Sequence, residues 1–222
     1  RPQQHPYSWS RPTTPQPPCE LGREQIRKVV DLWAERTAAL MARPEIEYVL
    51  VFETRGPEVG ATIHHPHGQI YGFGFVPPAP AAEGAVAAEY GDVVAAEIEA
   101  EVAYGRRIVF DDGEWVAWVP FASGFSYGLR VAPRSSVGRI DELDTAGRDG
   151  LADVLADVLG RYDRLWRDDP AASEIFPYLM WFHQAPKHDA ELHHLHLHLA
   201  PPQRGPGLMR FVAAGEQGSG AL

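Results

Sequence analysis

The feature that most constrains the fold of this chain is a run near its C-terminus in which histidine and leucine alternate. His194, His196 and His198 occupy every second position, and a leucine follows each of them. Successive side chains of a β-strand point to opposite faces of a sheet, so the run predicts a strand with one apolar face packed on a core. The opposite face of that strand then carries three imidazoles.

The imidazole face is a candidate metal site. Two histidines that lie two positions apart on a strand can ligate one ion from the same side. His183, at the end of a predicted neighbouring strand, can supply a third nitrogen, and Glu83, which follows a proline-rich break, can supply a carboxylate. The alternative is a solvated polar face, and His193 and His194 are open to that interpretation as well. We expect a four-ligand site formed by Glu83, His183, His196 and His198.

A second histidine-rich stretch, His65-Pro66-His67-Gly68-Gln69, favours a different chemistry. Extended backbone, which Pro66 favours at the residue before it, places His65, His67 and Gln69 on one face. A neutral imidazole nitrogen is a good nucleophile toward phosphorus, and a glutamine amide can hold a non-bridging oxygen without supplying a proton for hydrolysis. The pair predicts ping-pong transfer of a nucleotidyl group through His67, with Gln69 holding the transferred group. The alternative is a histidine-rich surface turn.

Apolar periodicity predicts an α+β chain with an internal repeat. A helix, a strand, a loop and a histidine-bearing strand follow one another twice. The step from Glu53 to His65 is 12 residues, and the step from His183 to His196 is 13 residues. We therefore expect two related halves, each an antiparallel sheet with packed helices. The predicted helices lie at 23–43, 85–104 and 145–167.

Composition narrows the class of protein. The chain has 222 residues, of which 45% are hydrophobic, as is typical of a globular protein. Its net charge of -10 argues against a general nucleic-acid-binding protein. No apolar run approaches the roughly 18–20 residues that span a bilayer, so we expect no membrane partner. A single cysteine, Cys19, excludes an internal disulfide framework, and a cytoplasmic location follows by elimination.

The two ends of the sequence differ in character from the middle. Residues 1–18 are rich in Pro, Gln, Ser and Arg, and this composition predicts a disordered segment. The first residue is Arg1, and the last residues, Gly215 to Leu222, predict neither a helix nor a closing strand. These features favour an incomplete piece of a longer protein.

The histidine-rich stretches resemble the galactose-1-phosphate uridylyltransferase family, a branch of the histidine-triad superfamily. The resemblance extends from about Leu21 to Glu216. Simple histidine triads have a third histidine where this chain has Gln69, which makes the motif specific within the superfamily. The family usually has Asn at the position of Thr54. The motifs that carry the resemblance are Phe52-Glu53-Thr54, Gly60, and residues 64–71, 181–186 and 196–202.

The resemblance implies an activity and its substrates. His67 would form a uridylyl-histidine with UDP-glucose, Gln69 would bind the phosphoryl oxygens, and galactose 1-phosphate would accept the UMP group. The chain would act as a homodimer, in which a C-terminal segment reaches the sugar site of the partner. The implied substrate-binding residues are Phe52, Glu53, Thr54, Gly60, Thr62 and Gln69, with Arg210, Phe211 and Glu216 in the C-terminal segment.

The resemblance also implies zinc and/or iron as cofactors. Glu83, His183, His196 and His198 match the family's second metal site, which is structural rather than catalytic. His65 matches a ligand of the first metal site, but the cysteine pair that completes that site in the family is not in this sequence. The N-terminal strands that hold uridine in the family are not in it either. We therefore expect the N-terminal part of the fold to be missing from this sequence.

These inferences give a domain division with two alternative functions. Residues 1–20 form an unmatched segment, 21–78 the C-terminal part of a first histidine-triad-like half, and 79–222 a second such half. One alternative is a related nucleotide phosphorylase or adenylyltransferase of the same superfamily. The other is an inactive metal-binding fragment.

Overall fold

One eight-stranded sheet, in which every pair of neighbouring strands is antiparallel, forms the centre of the fold. The computed structural model describes residues 7–10, 22–61, 67–173 and 175–210. Within them the strands are β1 (Tyr7–Ser10), β2 (Tyr48–Arg55), β3 (His67–Phe73), β4 (Ile108–Asp111), β5 (Trp115–Trp118), β6 (Leu129–Pro133), β7 (Tyr178–His183), β8 (His196–Ala200), β9 (Gln203–Gly205) and β10 (Leu208–Met209). The helices are α1 (Arg23–Met41), α2 (Pro78–Tyr90), α3 (Val93–Tyr104) and α4 (Thr145–Arg164), with 3-10 turns at Pro57–Val59, Ile140–Glu142 and Ala190–Leu192. The predicted α+β class is confirmed.

The strand order is β1-β3-β2-β7-β8-β6-β5-β4, and β9 and β10 form a separate two-stranded sheet. The middle of the large sheet is the antiparallel pair β2 and β7, in which Phe52 lies opposite Trp181 and Arg55 opposite Tyr178. The unit α1-β2-β3 and the unit α4-β7-β8 therefore meet along one pair of strands, as two halves of a single sheet.

The two units have the same internal register. Phe52 lies opposite Gln69 in the first unit, and Trp181 lies opposite His198 in the second. A single offset of 129 residues (52 to 181, 69 to 198) maps the first pairing onto the second. The repeat predicted from the sequence is therefore visible in the strand pairing, and it makes His67 the counterpart of His196.

The register corrects the equivalence between the halves that the sequence predicted. The prediction matched Glu53 with His183 and His65 with His196, whereas the offset of 129 matches Thr54 with His183. A slip of one residue in a strand exchanges the two faces of the sheet. The predicted match therefore paired Glu53, which faces the helices, with His183, which faces away from them.

Helices α1 and α4 cover one face of the sheet because each has an apolar stripe at helical spacing. In α1 the stripe includes Ile26, Val30 and Trp33, which are buried, and the ring of Trp33 meets Phe182 edge-on at 5.3 Å. In β8, Leu197 is fully buried in the same core. The leucine face of the alternating run therefore packs as predicted. The buried stripe of α4 consists of Leu151, Ala152, Val154, Leu155, Val158, Leu159 and Tyr162.

The other face of the sheet is covered at one end by α3. Ile98 packs with Val116, Trp118 and Ala132 in a second, smaller core. These strand residues alternate with residues of the main core, so α3 lies on the face opposite α1 and α4. This is also the face that carries the imidazoles of β8, because β6 and β8 are neighbours in the sheet.

The single helix predicted over residues 85–104 is wrong, because two helices occupy this part of the chain. The first helix begins at Pro78, where a proline is tolerated because the first-turn N–H groups have no helical partner. Gly91 has a φ of 81°, which ends α2, and the carboxylate of Asp92 then accepts a hydrogen bond from the N–H of Ala95 at 2.9 Å. No helix within the described residues has the length and apolar character that a membrane span requires.

A short strand lies within the N-terminal segment, residues 1–18, whose composition predicts disorder. Tyr7–Ser10 form β1, which pairs with β3 at the edge of the sheet, with Ser10 opposite His67. These four residues contain no proline, and aromatic residues favour extended backbone. They can therefore supply the hydrogen bonds of an edge strand although their flanks are rich in proline.

We expect the leucine face of β8 to dominate the stability of this part of the fold. Leu197→Ala should lower the free energy of unfolding by roughly 2–5 kcal/mol, because it opens a cavity in a closed core. Leu208→Ala is the matched control, since Leu208 is 51% exposed, and it should change stability by about 0.5 kcal/mol or less. Urea unfolding followed by circular dichroism measures both values. Equal losses in the two variants would contradict the assigned faces of β8.

Candidate functional site

The strand β3 presents the predicted catalytic pair on one face of the sheet. His67, Gln69 and Tyr71 are partly buried and alternate with Gly68 and Ile70, which are buried against the helices. His67 and Gln69 therefore project from the face that carries the imidazoles of β8. The structure places the two side chains on the same face at two-residue spacing, as simultaneous contact of both with one phosphoryl group would need.

The neighbouring strand adds two further predicted residues to this face. Phe52 lies opposite Gln69, and its ring meets Tyr71 edge-on at 4.9 Å. Thr54, two positions along β2, is partly buried on the same face, opposite Leu179 of β7. Phe52 and Thr54 thus border the His67–Gln69 pair on the side of the second half.

Glu53 lies on the other face of β2, away from His67. Its carboxylate is buried and accepts a hydrogen bond from the hydroxyl of Tyr178 at 2.9 Å. Arg55, on the same face, forms an ion pair with Asp163 at 2.5 Å, and its guanidinium lies 5.3 Å from the centre of the Tyr178 ring. The structure therefore does not bring the Glu53 side chain to the predicted substrate face, and its contacts are those of an interior residue.

Gly60 ends the 3-10 turn that follows β2 and has a φ of 86°. That left-handed conformation favours glycine, and, apart from Gly60 and its two chain neighbours, no atom of the described residues lies within 4 Å of the place that a β-carbon would take. The turn leads toward the histidine-rich stretch, so a ligand could approach this backbone closely. Four other predicted residues lie outside the described part of the chain: Thr62, His65, Phe211 and Glu216.

Arg210, the remaining predicted substrate contact, lies just after β10. Its guanidinium donates a hydrogen bond to the carbonyl of Gly124 at 2.6 Å and lies 4.9 Å from the centre of the Phe125 ring. Neither partner belongs to the strands that carry His67 or Gln69. The residue lines a polar cleft, together with Ser123, Gly124, Phe125, Ser126, Pro201, Pro202, Gln203 and Arg204.

All four predicted metal ligands converge on one point. One ligand atom of each lies within 4.8 Å of those of the other three. Nδ1 of His183 is 2.6 Å from Oε1 of Glu83, and Nε2 of His196 is 3.7 Å from the same oxygen. The ring centres of His196 and His198 are 4.9 Å apart. The helix α2 supplies the carboxylate, and the adjacent strands β7 and β8 supply the imidazoles.

The contacts of the two β8 histidines leave nitrogens available for a metal ion. Nδ1 of His196 donates to the carbonyl of His194 at 2.8 Å, so its Nε2 holds the lone pair on the side of Glu83. Nε2 of His198 is buried and has no hydrogen-bond partner within the described residues. A buried, unpartnered imidazole nitrogen is costly unless a ligand satisfies it. The residues present therefore fit a bound cation.

The electrostatics of the cluster favour the neutral forms of His196 and His198. Burial lowers the pKa of His196 to about 4, although the charge of Glu83 opposes this shift. Burial also lowers the pKa of His198, and the nearby His196 adds to the effect. For Glu83, burial raises the pKa, but the hydrogen bond with His183 and the charges of His183, His196 and Arg130 together outweigh burial, and the net direction of the pKa is downward. Near neutral pH the cluster therefore combines an ionised Glu83 carboxylate with neutral imidazoles at His196 and His198, the forms that zinc or iron(II) binds.

The other two histidines of the run have different contacts. His194 is buried, with Nδ1 2.8 Å from a carboxylate oxygen of Asp92 and Nε2 2.8 Å from the carbonyl of Pro133. The ring of His193 packs on Gly84, where an added β-carbon would be 2.8 Å from Nε2. Both histidines hold the helical region against β8, and neither belongs to the four-ligand cluster.

Trp181 contacts two of the four histidine and glutamate residues of the cluster, although no role was predicted for it. Its indole N–H donates to Nε2 of His183 at 3.0 Å, and its ring is stacked on His198 with centres 5.0 Å apart and planes 4° apart. The signal was present in the sequence, because Trp181 and His183 are two positions apart on a predicted strand and must share a face.

Two sequence models of one family match most of the chain. The model described as the N-terminal domain of galactose-1-phosphate uridyl transferase matches residues 13–77. The model described as the C-terminal domain of the same family matches residues 85–207. The second match alone covers more than half of the chain. It includes three of the four cluster residues, His183, His196 and His198, and begins two positions after the fourth, Glu83.

Individual relatives carry the same family name. The galactose-1-phosphate uridylyltransferase of Thermotoga maritima is 32% identical over 207 residues, which are 90% of this chain and 63% of that protein. The enzyme of Streptomyces lividans is 35% identical over 174 residues, which are 76% of this chain and 48% of that protein. The chain thus spans about half to two thirds of the length of these curated relatives.

A solved structure described as that of a uridylyltransferase superimposes with a TM-score of 0.79 at 27% identity, covering 93% of this chain and 66% of that one. The similarity therefore includes the arrangement of strands and helices as well as the motifs. The match to the family's C-terminal domain, which spans more than half of the residues, decides the assignment. The chain belongs to the galactose-1-phosphate uridylyltransferase family.

Proposed function

We propose that this chain carries the nucleotidyl-transfer residues of a uridylyltransferase that moves UMP from UDP-glucose to galactose 1-phosphate. The observation that carries the proposal is the His67–Gln69 pair on an accessible face of β3, in a chain of this family. The relatives that bear the name of this activity are longer than the chain, so the activity would belong to the complete protein.

In the first half-reaction, an imidazole nitrogen of His67 attacks the α-phosphorus of UDP-glucose. A nitrogen–phosphorus bond forms, and the bond from that phosphorus to the bridging oxygen breaks. The electron pair of the broken bond leaves with glucose 1-phosphate. In the second half-reaction, a phosphate oxygen of galactose 1-phosphate attacks the same phosphorus, which releases His67 and gives UDP-galactose.

Gln69 supports this chemistry because it offers hydrogen bonds to phosphoryl oxygens without a titratable proton. An amide therefore stabilises the developing charge and does not protonate the intermediate toward hydrolysis. Phe52 lies opposite Gln69 as its cross-strand neighbour on the same face of the sheet. Together with Thr54 and the open turn at Gly60, these residues form the proposed substrate face.

The proposed metal site is structural. Glu83, His183, His196 and His198 would hold one zinc or iron(II) ion. The ion would supply a cross-link between α2 and the strands β7 and β8 and would leave the transfer reaction to the first half. Zinc and iron fit the donor set equally, since both accept imidazole and carboxylate ligands.

The assembly and the domain division are proposed on the same basis. We propose a homodimer in the cytoplasm, with the C-terminal segment that includes Arg210 directed to the partner. The two family models support a division into halves between residues 78 and 79. The match to the N-terminal domain ends at residue 77, and the match to the C-terminal domain begins at residue 85.

Covalent labelling tests the nucleophile. After incubation with UDP-glucose labelled with ³²P in the α-phosphate, we expect acid-labile label on the protein, and intact-mass spectrometry should show one UMP adduct. His67→Gly should abolish the adduct and lower transfer by on the order of 10³-fold or more, because no other group replaces the nucleophile. His188→Gly is the matched control, since His188 is 76% exposed, and it should label normally.

Two results would contradict the assignment. Undiminished label in His67→Gly would exclude His67 as the nucleophile. Label from ADP-glucose but not from UDP-glucose would favour a related nucleotidyltransferase of the same superfamily.

Elemental analysis tests the metal site. The protein should contain one zinc or iron ion per chain, and His196→Ala and His198→Ala should each lower the metal content by roughly 10-fold or more, because each removes a ligand from a buried site. His193→Ala is the control, since His193 lies beside the cluster but outside it. Metal content that is unchanged in both ligand variants would reject the site.

A further inference from the structure

His183 uses both ring nitrogens in contacts with protein groups. Nδ1 faces Oε1 of Glu83 at 2.6 Å, and Nε2 faces the indole N–H of Trp181 at 3.0 Å. An indole N–H can only donate and an ionised carboxylate can only accept. The proton of a neutral His183 is therefore on Nδ1, and the lone pair of Nε2 accepts the indole proton.

A metal ion needs the lone pair that Trp181 occupies. If Nε2 is the ligand, the ion replaces the indole N–H. If Nδ1 is the ligand, its proton must move to Nε2, where it meets the indole proton instead of a lone pair. Either route breaks the hydrogen bond between Trp181 and His183.

We propose that Trp181 is a positioning residue that competes with the metal ion for His183 and so lowers the metal affinity of the cluster. The inference rests on the metal site proposed above and concerns the strength with which that site holds its ion. It assigns a role to a residue outside the four ligands.

The competition depends on the orientation of Trp181, which lies between neighbouring strands of the sheet and is stacked on His198. Phe52 lies opposite it on β2, and His198 lies opposite it on β8. Its ring is nearly parallel to that of His198, so the stack fixes the direction of the indole N–H toward His183. The donor therefore cannot turn away without losing the stack.

The same arrangement places Trp181 in one row of the sheet with the proposed transfer site. Gln69, Phe52, Trp181 and His198 are successive neighbours across β3, β2, β7 and β8. If the indole moves when a metal binds, it moves beside Phe52, its neighbour on β2. Phe52 is in turn the neighbour of Gln69 on β3.

Removal of the donor alone gives the test. Trp181→Phe keeps an aromatic ring against His198 but has no N–H, so zinc should bind about 5-fold more tightly than to the unsubstituted chain. Zinc affinity is measured by competition with a chromophoric chelator after the protein has been stripped with a stronger one. Trp166→Phe is the matched control, because Trp166 packs against Tyr127 and Phe176 away from the cluster, and its affinity should be unchanged.

A loss of packing would weaken zinc binding, so tighter zinc binding by Trp181→Phe cannot result from a merely structural role of Trp181.

A second measurement uses the unsubstituted protein. In ¹H–¹⁵N spectra the indole resonance of Trp181, assigned by its absence from the spectrum of Trp181→Phe, should move when zinc is added. Equal or weaker binding by Trp181→Phe, or an indole resonance that does not move, would overturn the inference.

The outcomes also separate this inference from the metal site on which it depends. If the unsubstituted chain binds no zinc, or if His196→Ala retains normal affinity, the metal site and the role of Trp181 both fall. If His196→Ala loses zinc but Trp181→Phe does not bind it more tightly, only the role of Trp181 falls.

Discussion

The antiparallel pairing of β2 with β7 is the interaction on which the rest of the structure depends. It joins two α-β-β units edge to edge, so that their helices cover one face and their histidine strands present the other. Without this pair each unit would be a small sheet with an open edge, which is a marginal structure in water. With it, the proposed transfer site and the metal-ligand cluster lie on one continuous surface.

The shared register of the halves shows how one scaffold can support two chemistries. At equivalent positions the first half has His67 and Gln69 where the second has His196 and His198. The second half adds His183 and a carboxylate from α2, which converge with His196 and His198. Burial favours the neutral forms of His196 and His198 by lowering the pKa of each. Within the described residues, the first half instead combines the imidazole of His67 with an amide on a partly exposed strand, which suits nucleophilic attack on a phosphate, and a convergent group of candidate metal ligands is found there only in the second half.

Local patterns in the sequence predict the parts of the site that lie on single strands. Strict alternation of His and Leu gives the faces of β8, and the two-residue spacing of His67 and Gln69 gives their shared face. The face of Glu53 could not be predicted, because residues 48–52 form a nearly continuous apolar run in which both faces of β2 look alike. The break at Gly91 was hidden for a related reason: the apolar residues on both sides of it continue at helical spacing, and only the left-handed turn separates them.

The interior position of Glu53 changes what a substitution there would mean. Its carboxylate, the hydroxyl of Tyr178 and the Arg55–Asp163 ion pair form a polar group of side chains between β2, β7 and α4. Removing the Glu53 carboxylate leaves the hydroxyl of Tyr178 without this acceptor in the interior, at a cost of roughly 1–3 kcal/mol. Loss of activity in such a variant would therefore follow from loss of the β2–β7 junction, whereas a change at Gln69, on the opposite face of the same sheet, can alter the reaction and leave the junction intact. The two faces of β2 thus separate residues that hold the halves together from residues that can contact a substrate.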